Sequence, residues 1–268
     1  MADYEFIRLT QDGPVATITL CRPQKLNALT DELMTELTDA LDIVGNDEAV
    51  RVVVLTGDGR AFSSGYDISP REAPRTTVQE WRSHFRIGVG AMRKIWDCPK
   101  PVIAKVRGAC VGGGFDLMFA CDLTVAEEQA FFGEPEVKFG GGSMFMLLPW
   151  LIGLRHVNEL LLTGETLDAR RAYELGLVNK VVPAERLDEH VEEMARRMSL
   201  MPHGTLVKNK STIHRAYELM GVSEAFRLGE DVAVLTLSSR EGESLEFDRI
   251  AADEGLNSAL AWRAARFG

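Results

Sequence analysis

Pro101-Val102-Ile103-Ala104-Lys105-Val106, the glycine-rich turn from Gly108 to Gly114, and Phe115-Asp116-Leu117-Met118 lie in one stretch of the chain. The first six residues are a short apolar run opened by proline, the pattern of a buried strand. The glycines free the backbone for a tight turn, and the apolar residues after them begin a helix. A strand that leads through glycines into a helix is a unit of layered α/β folds. Downstream, Asp122-Leu123-Thr124-Val125-Ala126 reads as the next strand. Upstream, Val52-Val53-Val54-Leu55 is a buried strand ending at Thr56-Gly57-Asp58-Gly59, and a helix is predicted over 79–96. Thr30-Asp31-Glu32 opens an amphipathic helix to about Val44, with Leu33, Leu37, Ala40, Leu41 and Val44 at helical spacing. Residues 4–10 and 14–21 form a hairpin around Gln11-Asp12-Gly13-Pro14.

The order strand, helix, strand, helix, strand over the first 130 residues predicts an α/β fold with parallel strands. Beyond about residue 150, apart from Leu177 to Val182, the pattern is helical: 154–163, 168–175, 184–200, 204–220, 223–238 and 243–265. The shift near 200 divides the chain into an α/β core, 1–200, and a helical subdomain, 201–268, packed onto it. There is no internal repeat of fixed period and no Pro- or Ser-rich linker.

The 268 residues are 46% hydrophobic and 26% charged, which excludes a disordered chain. A chain of this length buries roughly three quarters of its unfolded surface and folds without a disulfide or metal staple. Forty acidic residues against 30 basic ones give a formal charge of -10 and a pI near 5.1. Such a field opposes nucleic acid and anionic membranes, while a few local cations can still hold an anionic ligand. Cys21, Cys98, Cys110 and Cys121 form no Cys-x-x-Cys pair. The first residues lack the basic and apolar regions of a secretory signal, and no run approaches the ~18 apolar residues that span a bilayer. The expectation is a soluble, cytoplasmic protein.

Several chemistries lack their motif. Gly114 is followed by Phe115 and Asp116, where a P-loop needs Lys and Ser or Thr. No Gly-x-Gly-x-x-Gly follows a strand, which argues against a nicotinamide dehydrogenase. The histidines at 84, 156, 190, 203 and 214 form no zinc-binding pair, and no base stands ready for Ser63 or Ser64 as nucleophile. What remains is backbone and carboxylate. Ala61-Phe62-Ser63-Ser64-Gly65-Tyr66-Asp67-Ile68 and Gly112-Gly113-Gly114 each offer N–H groups at a glycine turn, able to hold a developing oxyanion. Glu136, in Phe132-Gly133-Glu134-Pro135-Glu136-Val137, lies twenty residues beyond Asp116 in an apolar setting that raises a carboxyl pKa and suits it to acid–base work.

Together these pieces resemble the enoyl-CoA hydratase/isomerase (crotonase) superfamily. The likeness runs from Arg22-Pro23-Gln24-Lys25-Leu26-Asn27-Ala28-Leu29 through Ala61–Ile68, Lys100–Ala104, Gly112–Gly114, Phe132–Val137, Leu160–Gly164 and Ala172–Val182 to Asp253-Glu254-Gly255. It implies repeated ββα units followed by a helical C-terminal region that mediates trimers, often paired into hexamers. It implies an oxyanion hole at the N–H groups of Tyr66 and Gly113, acid–base carboxyls at Asp116 and Glu136, and an acyl-CoA thioester as substrate, with no separate cofactor and no metal. Ser63, Ser64 and Ile68 would lie along the substrate, and Met144 and Phe145 would line the acyl pocket. Arg22, Lys25 and Phe267, with Arg263 and Arg266, would serve the CoA moiety. Three departures bear on the activity. Asp116 stands where hydratases carry Glu. Met144 stands where dienoyl-CoA isomerases carry a further Asp. Phe139-Gly140-Gly141-Gly142-Ser143-Met144 replaces the hydratases' Pro-Gly-x-Gly-Gly-Thr stretch. Hydration leads, with double-bond isomerisation and acyl-CoA hydrolysis or lysis as alternatives.

Overall fold

Two strands, β1 (Ile7–Asp12) and β2 (Val15–Leu20), form the predicted hairpin, antiparallel about Gly13, whose φ is +54°. This computed structural model describes residues 3–70 and 74–267. Helix α1 (Asp31–Asn46) starts at Thr30, whose side chain accepts from the Leu33 N–H, and buries the stripe predicted from its spacing. Strand β3 (Val52–Gly57) leads to α2 (Val78–Asp97), which opens with a reciprocal capping box between Thr77 and Glu80. Next come β4 (Val102–Val106), β5 (Ala109–Val111), α3 (Gly113–Ala120), β6 (Leu123–Glu127) and β7 (Phe131–Gly133). A 3-10 turn, Pro135–Phe139, then precedes α4 (Leu148–Leu151), α5 (Leu154–Thr163), β8 (Thr166–Asp168), α6 (Ala169–Glu174) and β9 (Lys180–Val182). Five helices end the chain: α7 (Leu187–Ser199), α8 (His203–Leu219), α9 (Val222–Ser238), α10 (Glu243–Glu254) and α11 (Leu256–Ala264).

The main sheet has six strands in the order β1-β2-β3-β4-β6-β9, parallel from β2 onward. Side chains alternate across it. Val53, Leu55, Val102 and Ala104 face the larger core with α1 and α2, while Val52, Val54, Ile103 and Val125 pack against Leu187, Val191 and Ala195 of α7. The C-terminal helices share this core, because Val222, Phe226, Ala233 and Val234 of α9 belong to the larger cluster. Among the described residues no helix is long and apolar enough to cross a membrane.

Two features differ from the sequence reading. Residues 108–114 are more than a turn: Ala109–Val111 pairs with Phe131–Gly133, which pairs with Thr166–Asp168 to make a second, three-stranded sheet. Strands of three residues are too short for a period of two to register, and they exist only through their partners. The predicted helix over 243–265 is two helices, broken at Gly255, whose φ is +90°. Phe247, Ile250, Ala251 and Ala259 close the two against each other and onto Phe139, the last residue of the Pro135–Phe139 turn.

Candidate active site

The loop after β3 is held open by Asn27, which is buried and sits at φ +54°. Its amide donates to the carbonyls of Asp58 and Ala61 at 2.9 and 2.8 Å, and its oxygen accepts from the Arg22 N–H at 2.9 Å. Ser63, also buried, donates its hydroxyl to the Asn27 carbonyl at 2.8 Å and accepts from the Gly65 N–H at 3.2 Å. Its hydroxyl thus shapes the loop from inside. Leu29 and this loop exchange two bonds, Leu29 N–H to Gly65 and Asp67 N–H to Leu29, which pass over Tyr66. Among the described residues the Tyr66 N–H therefore donates to no backbone carbonyl. Gly113, the first residue of α3, has no acceptor inside its own helix. The two turns meet: a Cβ on Gly65 would lie 3.2 Å from the Gly113 nitrogen, and one on Gly114 would lie 2.7 Å from Ser63.

Three carboxyl groups gather beneath these turns. Asp116, in the first turn of α3, is 1% exposed. Ser143 donates to one of its oxygens at 2.9 Å and the Met144 N–H reaches the other at 3.4 Å. Burial pushes the Asp116 carboxyl up to about 8, against the pull of the Ser143 hydrogen bond and with the help of the Glu136 charge. Glu136 follows Pro135 in the 3-10 turn, with Oε2 sealed from solvent. Burial raises its carboxyl too, while the polar groups around it, its own N–H, Glu134 and the Gly113 N–H, oppose that shift. Its Oε1 fills the space over Gly112, where a Cβ would fall 1.6 Å away. The Gly113 N–H, one of the two donors assigned to the oxyanion, thus lies beside the Glu136 carboxyl. Glu134 is 1% exposed and neither of its oxygens receives a hydrogen bond. Burial, then the charges of Asp116 and Glu136, raise it well above the usual carboxylate range.

The Tyr66 ring lies against Gly113, where a Cβ would come within 2.5 Å of it, and its hydroxyl is buried over Gly88 without a partner. His84, 5% exposed, packs edge-on to this ring at 5.2 Å, and its Nδ1 contacts Asp31, which also binds Arg75 at 2.6 Å. Met144 is 5% exposed. Phe145 is fully buried and stacks on Phe226 of α9 at 3.9 Å. Ile68 is exposed.

The residues assigned to CoA lie in two groups. Arg22 pairs with Asp67 at 3.0 Å and also donates to the Ala28 carbonyl; Lys25 is exposed, and Ser64 donates to its carbonyl at 3.3 Å. At the other end of the chain Phe267 lies between the Lys138 and Arg263 cations, at 5.2 and 5.1 Å. Arg263 and Arg266 both pair with Glu243. Tyr66, Gly113, Asp116 and Glu136 thus converge, whereas Asn27, Ser143 and Glu134 are constituents the sequence reading did not single out. Glu134 had a visible signal, a second acid across the proline from Glu136. Asn27 and Ser143 act through partners more than 25 residues away in the chain.

The enoyl-CoA hydratase/isomerase family model matches residues 10–246. A crotonyl-CoA hydratase of Syntrophomonas wolfei is 36% identical over 201 residues, 73% of this chain and 76% of its own. A 4-chlorobenzoyl coenzyme A dehalogenase of an Arthrobacter species is 37% identical over 208 residues, 74% of each chain. The crystal structure of an enoyl-CoA hydratase/isomerase from Xanthobacter autotrophicus superposes with a TM-score of 0.94 at 37% identity, covering 99% of this chain and 100% of that one. Sequence and architecture agree over almost the full length, and the chain belongs to the enoyl-CoA hydratase/isomerase family.

Proposed function

We propose that this protein is an enoyl-CoA hydratase, adding water across the double bond of a 2-enoyl-CoA. The observation that carries the reading is the convergence of two pKa-raised carboxyls, the buried Asp116 and the half-buried Glu136 with its sealed Oε2, on the backbone of Gly65–Tyr66 and Gly112–Gly113. The thioester oxygen takes the N–H groups of Tyr66 and Gly113, which stabilise the enolate as charge moves onto it. Water held between the carboxyls adds to the β-carbon and gives a proton to the ionised form of Asp116, whose population grows as pH rises toward about 8, while Glu136 gives its proton to the α-carbon. Passage of the Asp116 proton to Glu136 resets the pair. CoA enters as part of the substrate, toward Arg22 and Lys25.

Crotonyl-CoA tests this reading through the loss of its conjugated thioester absorbance. The wild type is expected to lose that absorbance, and Glu136→Gln to do so at least ~100-fold more slowly. Equal rates would remove Glu136 from the reaction. A second reading, double-bond isomerisation, draws on Ser143 and Met144, which already occupy both oxygens of Asp116 and compete with a water. An inactive wild type on crotonyl-CoA that interconverts 3-enoyl- and 2-enoyl-CoA would favour it. We also propose a cytoplasmic homotrimer or hexamer, an assembly supported by the exposed apolar residues Leu228, Val232 and Leu235 along α9.

A further inference from the structure

Of the three acids gathered at this site, Asp116 and Glu136 have roles in the proposed reaction and Glu134 has none. Both oxygens of Glu134 and the Oε2 of Glu136 are sealed from solvent, and no N–H or hydroxyl donates to them. No ion pair among the described residues reaches Glu134, Glu136 or Asp116; Lys138, the nearest cation in sequence, pairs with Glu165 at 3.4 Å. The backbone imposes the proximity. Pro135 alone separates the two glutamates, the Gly112 N–H fastens the Gly133 carbonyl at 2.9 Å, and Oε1 of Glu136 lies over Gly112 at the start of α3. Two ionised carboxylates in that position would repel without compensation, and each would leave buried acceptors unsatisfied. A proton kept on Glu134 removes the repulsion and leaves Glu136 a donor whether Glu136 itself is protonated or ionised.

We propose that Glu134 is a neutral carboxylic acid whose O–H donates to Glu136, a positioning residue for the group that serves the substrate α-carbon. Its chemical consequence rests on the hydratase reading; the hydrogen bond itself does not. When the thioester enters, the Gly113 N–H serves the oxyanion. Glu134 is then the donor that remains as Glu136 releases its proton and becomes a carboxylate. Glu134 keeps its own proton throughout, so the balance of the addition is unchanged. The titratable groups facing it are Asp116 from α3, Glu136 from the 3-10 turn and Cys110 from β5, with the Tyr66 hydroxyl beyond Asp116 and Glu136.

Two substitutions separate this role from packing. Glu134→Gln keeps a donor and cannot ionise, whereas Glu134→Met fills the space with no donor. With crotonyl-CoA, Glu134→Gln is expected to keep kcat within about threefold, and Glu134→Met to lower it by about 10- to 100-fold with KM little changed, the effect of losing a hydrogen bond to a charged group. Wild-type kcat in Glu134→Met, or equal losses in both variants, would overturn the assignment. Infrared difference spectra at neutral pH supply a readout free of activity. The carbonyl band of a protonated carboxyl is expected to weaken in Glu134→Gln while a part of it survives Asp116→Asn. A band untouched by Glu134→Gln would overturn the proposal even if no enoyl-CoA is turned over. A band lost in Glu134→Gln, in a protein inactive on enoyl-CoA, would keep the hydrogen bond and dismiss the hydratase reading instead.

Discussion

Burial lifts the Asp116 carboxyl to about 8, whereas in an unfolded chain an aspartate titrates near ~3.9. Between those values the folded protein holds a proton that the unfolded chain has released. Stability conferred below the lower value is therefore lost as pH rises through the window, by about 1.4 kcal/mol per pH unit for each such proton. Glu134 and Glu136 act in the same direction. Asp31, Asp67 and Asp188 are held below the usual range by hydrogen-bonded partners despite burial, and their contribution fades only in more acidic solution. Urea unfolding at pH 5 and pH 8 is expected to show a falling wild-type stability and a smaller fall in Asp116→Asn; parallel falls would mean that Asp116 titrates normally. Tyr66→Phe deletes a buried hydroxyl that has no partner, and a gain of about 1 kcal/mol is expected in the same assay. At this scale the sequence revealed groups whose chemistry is intrinsic: two acids twenty residues apart and glycines ahead of a helix. Asn27 and Ser143 stayed hidden because a short polar side chain shows its function only through a distant partner.

Two elements set the geometry of the acids, the glycine entrance of α3 and the buttress supplied by α9. Gly112 combines φ +55° with ψ -134°, a conformation that only glycine adopts readily, and the Glu136 carboxyl fills its Cβ position. Gly112→Ala is expected to cost about 1–3 kcal/mol of strain and to displace Glu136, seen as lost stability together with lost hydration. On α9, a Cβ at Gly229 would stand 2.4 Å from the Met144 carbonyl, and that contact is backbone, which yields less readily than a side chain. Phe226, one turn earlier, stacks on Phe145. Gly229→Ala therefore pushes the segment that carries both Asp116 donors, Ser143 and Met144. A lower kcat in a folded protein is expected, with the Asp116-dependent part of the pH–stability curve shifted; an unchanged kcat would show that the segment absorbs the push elsewhere. The long helices were legible because each repeats its apolar stripe over several turns. The second sheet was not, since its three-residue strands carry no period, and the break between α10 and α11 rests on the backbone of one glycine.

The whole molecule leaves one element out of balance. The inner side of α9 places Phe226, Ala233 and Val234 in the core, yet Leu228, Val232 and Leu235 stand 63%, 50% and 61% exposed along its outer side. Leu219 and Met220, where α8 ends, are also exposed, at 78% and 62%. A helix that is apolar on both sides is at home only when both are covered, and an isolated subunit covers one. A second copy of the chain is the occupant that the proposed trimer or hexamer supplies. Sedimentation of the wild type is then expected at a multiple of the 29.6 kDa subunit, and Leu228→Lys with Leu235→Lys at 29.6 kDa. Neither leucine touches the acids, so the direct effect of the double substitution is on assembly. An indirect effect follows from the buttress: releasing the outer side of α9 loosens the helix that bears on Met144 and Phe145, and through them Asp116. The dissociated variant should therefore unfold at a concentration-independent temperature, below that of the assembled wild type, and hydrate crotonyl-CoA more slowly at unchanged Glu136 chemistry. A wild type that sediments at 29.6 kDa and keeps full activity would mean that α9 bears its outer stripe in water, and that the site is complete within one subunit.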